Sequence, residues 1–160
     1  MKNVIKGFVR DNAGSGGVGI LLLFAVVATS FLIVCEFIYA FNVKQSIDIE
    51  LTRAANTAVN LAMSDEHRKD RVLELDLAAA YDSFYEYLYR EMRLNSRFEL
   101  IDGSGARIYA LEITELDVRQ SPPGIRVNAA VSVNPLFIGK LTPAIITFNV
   151  RGSSINRRIE

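Results

Sequence analysis

The feature that most limits how this chain can fold is an uninterrupted apolar run near its amino terminus. No charged residue occurs from Asn12 to Cys35, and the eighteen residues from Val18 to Cys35 read VGILLLFAVVATSFLIVC. A run of this length without proline is long enough to form a transmembrane helix. Together with the residues that follow it, the segment extends from Gly17 to Phe41, roughly 37 Å of helix, which can cross a bilayer with some tilt.

Two other kinds of segment give a similar pattern. A secretory signal peptide has a shorter apolar stretch and small residues at its cleavage site, whereas here the run is longer and is followed by the bulky sequence EFIYAF. A buried helix of a soluble core seldom runs this far without a polar face. We therefore predict a retained membrane anchor whose partner is membrane lipid.

The charges that flank the run predict its orientation. Lys2, Lys6 and Arg10 precede the run with one acidic residue, Asp11, while the chain after Cys35 holds slightly more acidic than basic residues. Basic residues are enriched on the cytoplasmic side of membrane helices. We predict a single-pass protein with a cytoplasmic amino terminus and an extracytoplasmic carboxyl-terminal domain.

The anchor continues into an amphipathic helix with no glycine or proline between them. From Asn42 to Met63, apolar residues recur every three or four positions, namely Ile47, Leu51, Ala54, Ala55, Ala58 and Ala62. A polar segment, 64–70, precedes a second amphipathic helix predicted within 70–94 on the pattern Leu73, Leu77, Tyr81 or Ala80, Phe84, Leu88 and Met92. We therefore divide the chain into a basic leader, 1–16, a transmembrane helix, 17–41, its continuation, 42–63, and a head domain, 64–160.

The last third of the chain shows the two-residue alternation of β-strands. Strands are predicted at 98–101, 107–118, 125–134 and 144–150, with turns at 102–105 and 120–124 and a polar tail at 151–160. The most regular alternation places five apolar residues on one face, Ile125, Val127, Ala129, Val131 and Val133. We predict an α+β fold: a long helix, a second helix, and a four-stranded antiparallel sheet whose apolar face is covered by the second helix and the alanine-rich stripe.

Composition and motifs point away from catalysis, metal binding and nucleic-acid binding. Eighteen Lys and Arg balance eighteen Asp and Glu, so the chain lacks the basic excess of a nucleic-acid binder. One Cys and one His do not supply the usual ligands of a metal site. His67 lies in a charged loop, and Gly103 to Gly105 fits a hairpin turn better than a phosphate loop. We predict no enzyme, no cofactor and no metal.

Small and polar residues in the apolar run suggest contacts beyond lipid. Gly19, Ala25 and Ala28 would allow another helix to approach closely. Glu36 follows the run in its outer third, where a carboxylate can reach the membrane interface. The alternative for Glu36 is a polar contact between neighbouring anchors.

The order of these parts resembles that of type IV pilin-like proteins, and more narrowly the TadE-like pseudopilins of tight-adherence (Flp) pilus systems. The similarity is strongest in residues 17–63, in the small residues before the apolar run and in the stretches EFIYAF, VKQS and RAANTA. The resemblance implies a protein of a bacterial cell membrane that assembles with other pilin-like subunits into a pilus or secretion filament. It implies that the helix packs through Gly19, Ala25, Ala28, Glu36, Leu51, Ala54, Ala55 and Ala58.

The resemblance also implies processing by a prepilin peptidase after a glycine. Gly17, which precedes Val18, is the first candidate, with Gly16 and Gly14 behind it. Pilin-like helices usually carry Glu at the fifth mature position, whereas counting from Gly17 gives Leu22 here. Either the chain is a minor subunit or it is not cleaved, and the alternative function is an uncleaved, membrane-anchored extracytoplasmic binding or scaffolding domain.

Overall fold

The computed structural model describes residues 4–63, 75–137, 139 and 144–155, with side chains described from Gly17 onward. The predicted polar segment 64–70, with His67, and residues 156–160 of the predicted tail lie outside these ranges, as does Leu73 of the predicted second helix. The chain consists of two compact units, Met1–Ile38 and Tyr39–Glu160. We call the second unit the head; unlike the head domain predicted at 64–160, it includes the part of the long amino-terminal helix from Tyr39 onward.

The first element is α1, a helix from Val4 to Ala62. It contains both the apolar run and the alanine-rich stripe, as the absence of a glycine or proline break between them predicts. It also extends through most of the predicted leader, so Gly17 is an interior position of the helix and not its start.

The second helix, α2, runs from Leu77 to Arg90 and is shorter than predicted. Asp76 caps its amino terminus: the side-chain Oδ1 accepts hydrogen bonds from the N–H groups of Ala78, at 2.9 Å, and Ala79, at 3.1 Å. Its buried face consists of Ala80, Phe84 and Leu88. Of the two residues that fit the spacing, Ala80 is the buried one, because Tyr81 is 38% exposed.

Four antiparallel strands follow in the order of the chain: β1 (Glu99–Ile101), β2 (Arg107–Arg119), β3 (Gly124–Val133) and β4 (Ile146–Ile155). The predicted α+β architecture and four-stranded meander are therefore confirmed. The predicted end of the last strand at Val150 was wrong, since β4 continues through the first five residues of the predicted tail.

The apolar face of the sheet is maintained across an irregularity in β2. Tyr109, Leu111 and Ile113 pair with inward residues of β3, and the register then shifts between Ile113 and Glu115. This bulge leaves Thr114 as the extra residue, and its hydroxyl donates to the carbonyl of Asn128 at 2.9 Å. Because one residue is inserted, the even-numbered Leu116 and Val118 continue the partly buried face.

One hydrophobic core joins the sheet to the two helices. It contains the inward residues of β3, the buried face of α2, and six residues of the predicted stripe on α1, which are Ile47, Leu51, Ala54, Ala55, Ala58 and Ala62. The carbonyl of Ala62, at the end of α1, accepts a hydrogen bond from the N–H of Asp76 at 3.2 Å. The predicted cover of the sheet by the stripe and the second helix is confirmed.

Candidate functional site

The first candidate site is the apolar surface of α1, by which we mean its exposed apolar side chains between Val18 and Phe41. Phe24 is 71% exposed, and Ile20 and Leu21 are each 70% exposed. The helix is long and apolar enough to cross a membrane, and none of its most apolar window is buried within the described part of the chain. A core helix of a soluble protein would instead be covered by its own chain.

The polar side chains within this surface are satisfied by their own helix. The hydroxyls of Thr29 and Ser30 donate to the carbonyls of Ala25 and Val26, each at 2.8 Å. A polar group facing lipid is costly unless it is hydrogen-bonded, because hydrocarbon offers no partner. Both hydroxyls therefore suit an apolar environment.

The residues predicted for processing all lie inside α1. Gly14, Gly16, Gly17 and Val18 belong to one continuous helix, and Val18 is 58% exposed. A Cβ atom added at Gly17 would meet no atom within 4 Å. The structure therefore offers no tight contact that explains a glycine at position 17.

Seven of the eight residues predicted for assembly fall into two groups. Gly19, Ala25 and Ala28 are exposed on α1. The other group, Leu51, Ala54, Ala55 and Ala58, is fully buried in the head. Because this second group packs inside its own chain, it leaves no exposed surface for a second subunit.

Glu36 belongs to neither group. It is the one polar or charged residue that is buried in the described part of the chain, with 2% of its surface exposed. Its carboxylate therefore does not lie on the exposed surface of α1, where an interfacial acid would be expected.

The second candidate site is the contact between α1 and β4, which we call the α1–β4 seam. A Cβ atom on Gly152 would lie 2.5 Å from the carbonyl carbon of Leu51 and 2.7 Å from the amide nitrogen of Thr52. Only a glycine allows backbone to approach backbone this closely. Next to it, the N–H of Arg151 donates to Oδ1 of Asp48 at 2.9 Å.

Asp48 joins three parts of the seam. Its other carboxylate oxygen, Oδ2, pairs with Nζ of Lys44 at 2.5 Å, and its backbone carbonyl accepts from the Thr52 hydroxyl at 2.9 Å. An open groove of about 980 Å³ lies beside the seam and is lined by residues that include Lys44, Asp48, Arg53, Asn149 and Arg151. Lys44 and Asp48 neutralise each other, so their charges stabilise the helix and its contact with β4.

A second polar link ties α2 to α1. The hydroxyl of Tyr87 donates to Oε2 of Glu50 at 2.9 Å, and Oε1 of the same carboxylate pairs with Arg53 at 2.7 Å. Burial, followed by the hydrogen bond to Glu50, raises the pKa of Tyr87 to about 12. Burial also raises the pKa of Tyr109, on β2, to about 12. Both phenols are therefore neutral and act as structural groups at neutral pH.

Within the described ranges, the side chains capable of acid–base or metal chemistry are dispersed. Among the residues that the structure describes, no set of three or more His, Cys, Asp and Glu side chains could hold a metal ion. Asp102, predicted in a hairpin turn, accepts from the N–H groups of Ser104 and Ala106 at 2.8 and 2.9 Å. The Ser104 hydroxyl is the first cause of the lowered pKa of Asp102, followed by these backbone bonds. The turn is thus stabilised by its own aspartate.

Sequence reasoning named Leu51 in the stripe but did not identify Asp48, Arg151 and Gly152 as residues of the seam. Gly152 continues the inward positions of β4 after Ile146, Phe148 and Val150, so the alternation could have identified it. No local signal marks Asp48 as the partner of Arg151, because the two residues are far apart in the chain.

No protein-family model, curated protein or solved structure matches this chain.

Proposed function

We propose that the protein is a structural pseudopilin or minor pilin-like subunit of a tight-adherence pilus or secretion filament, anchored in a bacterial cell membrane by one span, and not an enzyme. The observation that carries the proposal is the contrast along α1. Its large apolar side chains from Val18 to Val34, and Phe37, Ile38 and Phe41 after them, are exposed, whereas its stripe from Ile47 to Ala62 is buried in the head. One half of the helix therefore builds the fold, and the other half needs an apolar partner.

The energetic argument for that partner is direct. Fully burying one Val, Leu, Ile or Phe side chain contributes about 1.5–3 kcal/mol relative to leaving it in water. More than ten such side chains of α1 are at least 41% exposed. A bilayer, or the apolar helices of other pilin-like subunits, would remove this surface from water.

The burial of the stripe limits where subunits can meet. Contacts between subunits are assigned to Gly19, Ala25 and Ala28, because small residues allow close packing of helices in lipid. A proline at Ala54 would not test this assignment, since Ala54 is fully buried and its replacement would disrupt the head itself.

The alternative is an uncleaved, membrane-anchored scaffolding or binding domain. The observation in its favour is that α1 passes through Gly14, Gly16 and Gly17 without a break. Proteolysis favours exposed irregular segments, so a peptidase would have to unwind this part of the helix.

The mass of the mature chain from its native cells separates the two functions. Loss of residues 1–17, with Val18 as the new amino terminus, supports the pseudopilin. Gly17→Leu should then retain the leader, whereas the control Gly19→Ala should not. An intact amino terminus on the wild-type chain contradicts processing and favours the scaffolding domain.

Assembly is tested by enlarging the small residues. Ala25→Leu with Ala28→Leu should remove most of the cross-linked oligomer found in native membranes, because each added side chain separates the helices. Val26→Leu, a change at a residue that is 62% exposed and already bulky, is the matched control. Equal cross-linking of both variants contradicts the assigned packing surface.

A further inference from the structure

The head carries a second exposed apolar surface close to Tyr39. Three large apolar side chains lie in the connection between β3 and β4: Leu136 is 46% exposed, Phe137 is 53% exposed and Ile145 is 54% exposed. We call these three residues the β3–β4 patch. Leu136 and Ile145 line one cavity, and Phe137 follows Leu136 in the chain. Exposed apolar side chains are common singly on a protein surface, but a group of them indicates an interaction site.

The patch lies beside the part of α1 where the apolar run ends. Leu136 and Ile145 line a cavity of about 450 Å³ together with Tyr39 of α1. Tyr39 belongs to the same compact unit as the patch, and it precedes the last residue of the run, Phe41, by two positions. The β3–β4 patch therefore lies next to α1 at the position of Tyr39.

The length of the apolar run predicts the depth of Tyr39 in a membrane. The segment from Gly17 to Phe41 is roughly 37 Å long, whereas the hydrocarbon core of a bilayer is about 30 Å thick. Tyr39 is therefore expected at the lipid headgroups, where tyrosine is enriched in membrane proteins. An apolar patch at the same level reaches the boundary between headgroups and acyl chains.

Charged residues beside the patch fit the same depth. Arg107 and Asp102 line the same cavity, and the Arg107 guanidinium contacts Oε1 of Glu99 at 3.3 Å and Oδ1 of Asn134 at 3.4 Å. These groups need the hydrated headgroup region and exclude deeper insertion.

We propose that the β3–β4 patch inserts into the leaflet from which the head emerges, so that the head contacts the phospholipid bilayer directly as well as through its anchor. This inference rests on the proposed membrane anchor. It adds a second membrane contact, which is made by residues of the head itself.

Tryptophan fluorescence tests the proposal, because the chain contains no tryptophan. Full-length Phe137→Trp is reconstituted into phosphatidylcholine and phosphatidylglycerol vesicles, either unmodified or brominated on the acyl chains, near the headgroups in one preparation and near the bilayer centre in another. We expect lipid brominated near the headgroups to quench the emission more strongly than lipid brominated near the bilayer centre, as contact with the headgroup boundary requires.

Two further variants make the result specific. Phe24→Trp, within the apolar surface, reports whether α1 enters the bilayer. Leu61→Trp is the exposed control: Leu61 is 67% exposed and lies roughly 30 Å beyond Phe41 along α1, so brominated lipid should leave its emission unchanged.

The outcomes separate the two proposals. Quenching of Phe24→Trp without quenching of Phe137→Trp overturns the membrane contact of the head and leaves the anchor intact. Phe137→Trp emission that is blue-shifted but unquenched also overturns it, because protein, such as a second copy of the chain, then covers the patch. Absence of quenching in Phe24→Trp overturns the anchor, and the inference fails with it.

Discussion

Gly152→Ala is the substitution that we expect to disturb the head most for the smallest chemical change. The added methyl group would lie 2.5 Å from the carbonyl carbon of Leu51, 2.7 Å from its oxygen and 2.7 Å from the nitrogen of Thr52. All three are backbone atoms of α1, so no side chain can rotate away. To restore ordinary contact at 3.4 Å, helix and strand must separate by roughly 0.9 Å.

That separation has a predictable cost. Overpacking in a core costs about 1–3 kcal/mol, and a clash between backbones belongs at the upper end. The shift also weakens the hydrogen bond from Arg151 to Asp48, which as a bond to a charged group contributes about 1.5–3 kcal/mol. Replacing glycine restricts the unfolded chain and offsets about 0.4–1 kcal/mol. We expect a net loss of about 3 kcal/mol in the free energy of unfolding.

Urea unfolding of the full-length protein in detergent micelles, followed by circular dichroism, measures this loss. Gly103→Ala is the matched control, because a Cβ atom there meets nothing within 4 Å, and its effect should stay within about 0.5 kcal/mol. Equal unfolding midpoints for the two variants would refute the close approach of β4 to α1.

Three further predictions concern α2, the core and two tyrosine phenols. Asp76→Ala removes the cap of α2 and should lower the free energy of unfolding by about 1 kcal/mol in the same urea assay; no change would show that the cap is dispensable. Phe84→Ala leaves a cavity at a fully buried position and should cost about 3–5 kcal/mol, and a loss below that of Asp76→Ala would contradict its place in the core. Folding raises the pKa of Tyr87 and of Tyr109 from 10.0 to about 12. The stability that each neutral phenol contributes is therefore complete below pH 10 and is lost as the pH rises towards 12. A spectrophotometric titration that finds all six tyrosines ionising together near pH 10 would contradict this.

The spacing of apolar residues in the sequence correctly predicted β3 and α2, because each has one buried face. The alternation from Ile125 to Val133 identified β3 and its inward face, and the spacing of Phe84 and Leu88 identified the buried side of α2. Because each of these elements packs on one face only, the spacing of its apolar residues identifies the side chains that enter the core.

The elements that were predicted incompletely depend on contacts between distant residues. The sequence predicts that the last strand ends at Val150, because the residues RGSS that follow have the composition of a polar tail. In the structure β4 continues, and Gly152 is required where the strand meets Leu51 and Thr52. The bulge at Thr114 is stabilised by the carbonyl of Asn128 on the next strand. No short window of sequence contains both partners of either contact.

The candidate functional residues of α1 were also predicted only in part. The apolar surface of α1 was predicted from its length and composition alone, since a run that lacks charge has few alternatives. The inward position of Leu51, Ala54, Ala55 and Ala58 also followed from spacing, but spacing cannot tell whether a stripe faces its own sheet or a neighbouring subunit. Only the position of the sheet assigns the stripe to the fold.

The measurement that tests the central claim most directly is alkaline carbonate extraction of native membranes that contain the wild-type chain. If α1 is a membrane span, the protein stays in the membrane pellet after carbonate treatment and is released only by detergent, because the apolar surface remains in the hydrocarbon core. Recovery of the intact chain in the carbonate supernatant would contradict the anchor and, with it, the proposed function.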